Sequence, residues 1–163
     1  MATTQSGMFL EIDGVTGESI NTTFSGSVDV LSWSWGGSNN VSAAGTGLSG
    51  GVVNLSELSC MAAMDTAFPT LFKKMCGGDP ITTMKLHGCV MGTDQLEIYT
   101  IELTQCLVSS CQTSGAGGGD SRPTCSYSFA AVKAQITYKQ QQNDGSLGGP
   151  VIGGFDTKTN KTS

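Results

Sequence analysis

What the chain has little of narrows its reading first. Basic residues are missing from its first 72 positions, which hold Glu11, Asp13, Glu18, Asp29, Glu57 and Asp65 but neither Lys nor Arg; the first base is Lys73. Over all 163 residues, 13 acids face 8 bases, a formal charge of −5. With no basic cluster to meet phosphates, neither nucleic acid nor an anionic membrane surface is expected as a partner. Charged residues make up only 13% of the chain, against roughly 25% in ordinary soluble domains. Gly, Ser and Thr take their place, giving a polar, uncharged surface that tolerates burial against protein.

Long apolar runs are also missing. No stretch approaches the length needed to cross a bilayer. Met1–Gly7 has no positive charge and no apolar run after it, so no secretory leader is read, and the chain is expected to be made and folded in the cytoplasm. The six cysteines, Cys60, Cys76, Cys89, Cys106, Cys111 and Cys125, contain no C-x-x-C pair, which excludes zinc-ribbon and thioredoxin readings. Without an export signal, free buried thiols are expected rather than bridges.

Catalytic residue types are sparse. The single histidine, His87, falls on the same strand face as Thr83, Lys85 and Cys89. A Cys–His pair at this spacing could activate a thiolate, but no third orienting group accompanies it, and a solvent-facing strand histidine is the simpler reading. The Gly115–Gly119 run lacks the Lys-Ser or Lys-Thr and the helix that a phosphate cradle requires, so it reads as a surface loop. Asp13 with Asp29, and Glu97 with Glu102, show no legible paired-carboxylate logic. No catalytic, cofactor or metal residues are assigned, and no enzyme is expected.

What is present in abundance is alternation of apolar and polar residues, the mark of half-buried strands. It runs through Met8, Leu10 and Ile12; Val28 and Val30; Val53 and Leu55; Met84, Leu86 and Val90; and a final short strand around Val151 and Ile152 that is expected to close the fold. In three strands the phase slips by one residue: Val30 to Leu31, Trp33 and Trp35; Ile98 to Tyr99, Ile101, Leu103 and Leu107; Phe129 to Val132, Ala134, Ile136 and Tyr138. Such slips are β-bulges, which bend and coil strands as a closed barrel demands. Two stacked sheets remain the alternative to a barrel. One segment has helical period: Phe68, Leu71, Phe72, Met75 and Cys76 share a face over about residues 66–76, with Asp65 or Thr66 as cap and Gly77–Gly78 as exit. The expected fold is a mainly β, small closed barrel with one short flanking helix, as a single domain over residues 1–163. Trp33, Trp35, Phe68, Leu71 and Phe72 are its expected core anchors. Ser32 and Ser34 then point outward. Gly36–Gly51 and Thr113–Asp120 read as long polar loops, and loops of this length are functional or disordered.

Four segments, in order along nearly the whole chain, carry a resemblance. They are Met8–Ser19 (MFLEIDGVTGES), Val30–Gly36 (VLSWSWG), Leu107–Ser110 with Arg122–Thr124 around the glycine loop, and Asp144–Val151 (DGSLGGPV) with Gly153–Asp156 and Asn160. Together the chain resembles the hemolysin-coregulated protein (Hcp) family of type VI secretion. The resemblance implies hexameric rings that stack into the inner tube of a contractile injection machine. It also implies a contractile sheath, a spike protein and lumen-borne effectors as partners, with secretion through the apparatus itself. On this reading Ser32 and Ser34 are candidates for the lumen or cargo face. Ser38, Asn39, Asn40, Val41, Ser42, Thr46, Leu48 and Ser49 are candidates for a protomer or ring interface. No fused effector is expected. The tail-tube protein of another contractile particle and, in a different class, a glycan-binding adhesive module are the rival readings. The chain departs from the family in its six cysteines, its thinned acid–base pairs and its nearly uncharged long loop.

Overall fold

In a computed structural model, residues 7–45, 47–91, 94–119 and 122–163 are described. The strands are β1 (Met8–Ile12), β2 (Val28–Ser34), β3 (Gly37–Asn39), β4 (Ser42–Ala44), β5 (Gly47–Ser49), β6 (Val53–Leu55), β7 (Leu58–Ala63), β8 (Ile81–Met91), β9 (Gln95–Ser114), β10 (Thr124–Gln141), β11 (Leu147–Asp156) and β12 (Lys161–Thr162), with one helix, α1 (Ala67–Gly77). Six of the strands close a barrel in the order β10-β7-β2-β1-β8-β9, with β9 bonded back to β10. All pairings within it are antiparallel. Closure leaves none of these strands with an exposed edge over its paired length, which is how a long-stranded sheet avoids edge-to-edge association.

Two of the three bulges expected from the phase slips lie in the ladders. Leu31 is unpaired between Val30↔Ala62 and Ser32↔Met61. Ile98 is skipped between Gly88↔Tyr99 and Cys89↔Glu97. The third slip, from Phe129 to Val132 and Ala134, is not a bulge: Ala131↔Cys106 and Lys133↔Thr104 keep one register across it, and the bulge in this ladder is Ser109 on β9, facing the step from Ser128 to Phe129. The phase change itself falls between these two pairs, where Gln105 has a φ of 54° in mid-strand. There β9 and β10 change phase together, so Leu103 and Ala134 are buried before it and Cys106 and Phe129 after it. Leu107, placed on the inner face by simple alternation, is therefore exposed.

β10 divides its partners. Thr124–Phe129 pairs with β7 and completes the barrel, whereas Lys133–Gln141 pairs with β11 outside it. The final strand thus does not close the fold. β11 lies on the outlying half of β10, and Val151 and Ile152 are exposed.

The core is the inward face of the barrel, with Leu10, Leu86 and Ile101 in one cross-strand row and Tyr127 and Phe129 from β10. α1 packs against β9 and inserts Leu71, while Phe68 lies beside the Tyr127 ring at 6.1 Å. Phe72 is exposed, contrary to its assignment as a core anchor: on an 11-residue helix only the centre of a broad apolar stripe reaches the core. It stacks on Phe68 instead. Asp65 rather than Thr66 caps the helix, its Oδ1 accepting from the Ala67 N–H at 3.0 Å. Glu18, 48 residues upstream in the fold's first long connection, accepts from the Thr66 N–H at 3.2 Å. Gly78 ends the helix at φ 67°, a conformation that favours glycine.

Trp33 and Trp35 are half-buried, packed against the core near the end of β2 rather than inside it. A buried indole needs a partner for its N–H. Trp33 finds one by donating to the Tyr99 hydroxyl at 2.9 Å. The Tyr99 ring lies across Gly88, directly opposite it on β8, and any side chain at Gly88 would collide with that ring.

Candidate functional site

The barrel's outer surface has two walls of opposite character, and the strand register assembles both. Over β2, β7, β10 and β9 the outward positions form three rows. Ser34, Ser59, Ser128 and Ser110 make the first; Ser32, Met61, Ser126 and Gln112 the second; Ala63, Thr124 and Ser114 the third. None is charged. The Ser59 and Ser128 hydroxyls are 3.3 Å apart, within hydrogen-bond reach. Met61 is the large apolar side chain in these rows, and its 45% exposure is high for a methionine in a paired strand. Beside it lies a hollow of about 120 Å³ lined by Gln112, Ser114, Thr124 and Ser126 among others. Glu57 marks the wall's edge, where the bulged Ser109 hydroxyl donates to its carboxylate at 2.8 Å.

Over β1, β8, β9, β10 and β11 some of the outward rows carry charge, and in one of them the sign alternates across three strands. One row reads Glu11, Lys85, Glu102 and Gln135; Lys133 stands opposite Asp156 in another. Lys85 and Glu102 approach to 4.0 Å with both side chains well exposed, so the pair contributes little, about 0–1 kcal/mol. His87 sits in the middle of this wall and is buried, not solvent-facing as its strand position suggested. The cause is Phe24, from the connection between β1 and β2, whose ring stacks on the imidazole at 4.5 Å and on Phe9 at 4.9 Å. The connection is anchored by Asn21, whose side-chain amide donates to Gln95 at 2.7 Å.

His87 and Cys89 do not form a nucleophile–base pair. The two ring nitrogens lie 2.8 Å from Glu97 and 3.3 Å from Glu11. Burial pushes the Cys89 thiol up, with the Glu97 charge adding to it against a hydrogen bond from Gln95. A thiol held protonated beside an already engaged imidazole is a poor nucleophile. Partial burial alone would raise Glu97, but hydrogen bonds from Thr100 and His87 outweigh it and hold the carboxyl below its ordinary value. Among the described residues no cluster of His, Cys, Asp and Glu is arranged to hold a metal ion. Deep burial pushes the Cys60 and Cys106 thiols up to about 12, so these behave as small apolar core residues.

The Gly36–Gly51 segment, read as a loop, is the larger part of an arm of two-stranded ribbons. β3 pairs with β6 and β4 with β5. Ser38 and Asn39 lie in β3, Asn40 and Val41 between the ribbons, Ser42 in β4, and Leu48 and Ser49 in β5, all of them exposed. Thr46 lies outside the described residues. The Asn39 side chain accepts from the Gly51 N–H at 2.9 Å, tying the two legs of the arm together. Alternation was too short and too glycine-rich here to reveal the ribbons. The other expected loop begins late, since β9 continues to Ser114. Of the serine wall, the sequence reading identified Ser32 and Ser34 but missed Ser59, Ser110, Ser126 and Ser128. The Ser-x-Ser spacing of Ser32–Ser34 recurs at Ser126–Ser128, and that repeat was the available signal.

With the fold and surfaces described, comparison with known proteins decides the family. The family model described as "Type VI secretion system effector, Hcp" matches residues 9–138. The chain belongs to the Hcp family. It is 36% identical over 156 residues to Protein hcp1 of Pseudomonas aeruginosa, covering 94% of this chain and 96% of that one. A solved structure of a type six secretion system protein superposes with a TM-score of 0.92 at 29% identity, covering 98% of this chain and all (100%) of that one. Hcp1 from Salmonella typhimurium superposes with a TM-score of 0.77 at 26% identity, over 96% of this chain and 97% of that one. The Hcp barrel therefore serves here in type VI secretion as a structural protein.

Proposed function

We propose that this type VI secretion tube subunit closes into hexameric rings, that the rings stack through the arm, and that the serine wall around Ser32 and Ser34 lines the lumen and meets effector cargo. The observation that carries the reading is the arm. It extends from a barrel that satisfies its own strand edges, and it exposes Val41, Leu48 and Val52 at 63%, 79% and 76%. Exposed apolar side chains gathered on one projecting element mark a protein-binding surface. A ring needs a heterologous contact that closes, and a stack needs matching top and bottom faces. The sheath, the spike and effectors are the further partners, and export runs through the apparatus.

Size-exclusion chromatography with light scattering, followed by negative-stain microscopy, tests this. Six-fold rings that stack are the expected result. Deleting Ser42–Ser49 should leave folded rings that no longer stack; unchanged stacking counts against the arm. Replacing Ser34 with a bulky charged residue should preserve rings and reduce cargo retention, and normal retention would refute the lumen assignment. The glycan-binding alternative loses its main support because Trp33 and Trp35 pack against the core and the Trp33 N–H is already bonded.

A further inference from the structure

We infer that the serine wall holds its protein partner by non-ionic contacts, with Met61 as the specificity-determining residue that takes one apolar side chain of the partner. This rests on the reading of that wall as the cargo face. Three observations lead to it. The three outward rows over β2, β7, β10 and β9 contain no charge, whereas the neighbouring wall alternates Glu11, Lys85 and Glu102 across adjacent strands. A charged partner segment docked over these rows would give up hydration with no opposite charge among them, Glu57 standing only at the edge, a cost that selects against Lys, Arg, Asp and Glu. Second, the hydroxyls of Ser34, Ser59, Ser128 and Ser110 run straight across four strands. Serine both donates and accepts, so this row can satisfy polar backbone or side-chain groups of either kind. Third, Met61 stands 45% exposed beside a hollow of about 120 Å³. A flexible thioether next to a cleft that size suits one aliphatic side chain and adapts to several shapes, the usual role of methionine at permissive binding surfaces. Leu31, left unpaired by the β2 bulge, is also exposed and extends the apolar area towards that strand. The partner is therefore a protein segment with an aliphatic side chain among uncharged polar neighbours.

The test uses the assembled full-length protein and three synthetic peptides of Ser and Gly, each with one central residue, Leu, Lys or Glu. The Leu peptide should bind roughly tenfold or more tighter than the other two. Raising the salt concentration should leave its affinity unchanged, because no ion pair is screened. Met61→Ala should weaken Leu-peptide binding by roughly fivefold, while Met61→Leu, which keeps the apolar volume, should retain it. Equal binding of the Lys or Glu peptide, a steep salt dependence, or an unaltered affinity in Met61→Ala would overturn the inference. A separate arm tests the underlying reading. With Cys76→Ser and Cys89→Ser removing the exposed and half-exposed thiols, Met61→Cys should react with a small maleimide but not, in rings, with a maleimide carried on a bulky polymer. Equal reaction with both reagents in intact rings would place the wall on the outside and refute the cargo face, whatever the peptides do.

Discussion

The two walls share β9 and β10, yet one carries alternating charge and the other none. The division falls at the phase change near Gln105, where β9 and β10 exchange inner and outer faces. Before it on β9 the outward positions include Glu97, Thr100 and Glu102; after it they include Ser110 and Gln112. One pair of strands thus serves both surfaces, and a bend in the ladder, not a domain boundary, separates them. The charged wall also holds a small packed layer of its own, Phe9, Phe24 and His87, under the first long connection. Among the described residues nothing comparable covers the serine wall, so its outward side chains face solvent in the single chain.

The largest expected effect strikes the core beneath both walls. Leu86→Ala empties a fully buried position between Leu10 and Ile101, and should cost about 2–5 kcal/mol in urea unfolding. Loss of stability without loss of one particular wall is the signature. Next comes Gly88→Val. Its side chain must displace the Tyr99 ring, with an expected cost of about 1–3 kcal/mol. Because Trp33 bonds that ring, tryptophan fluorescence should shift as well, and an unshifted spectrum would contradict the packing described.

Glu97→Gln addresses the charged wall alone. The folded-state carboxyl titrates below its ordinary value of 4.5. Its contribution is thus present above that value and lost as pH falls through the lowered one. Wild type should exceed the variant by about 1 kcal/mol near neutrality, and the gap should close in thermal melts at strongly acidic pH. A gap that persists at low pH would mean the charge on Glu97 is not what matters. The smallest effect belongs to the serine wall: Ser59→Ala and Ser128→Ala should each change stability by less than about 0.5 kcal/mol. A larger loss would make this wall a structural element, erasing the contrast.

The fold was largely legible because alternation and its slips are local. Val30–Leu31 and Ile98–Tyr99 announced their bulges by an interrupted period, and Leu71 announced the helix face. What escaped was non-local. Ser59, Ser110, Ser126 and Ser128 become one surface only through a register the chain does not spell out. His87 looked exposed until Phe24, from another connection, covered it. Trp33 and Trp35 are apolar enough for the core, but their position near the end of β2 and the Trp33 N–H keep them at its margin. Phe72 shows the same limit on a short helix, where being on the apolar face does not ensure burial.

An electron-microscopy reconstruction of the purified, assembled protein tests the central claim most directly. The account predicts a six-fold ring whose hole is lined by Ser32, Ser34, Met61 and Ser128, with the arm reaching the next ring. A particle that remains monomeric at high concentration, or a ring whose hole is lined instead by Lys85, Glu102 and Lys133, would contradict it.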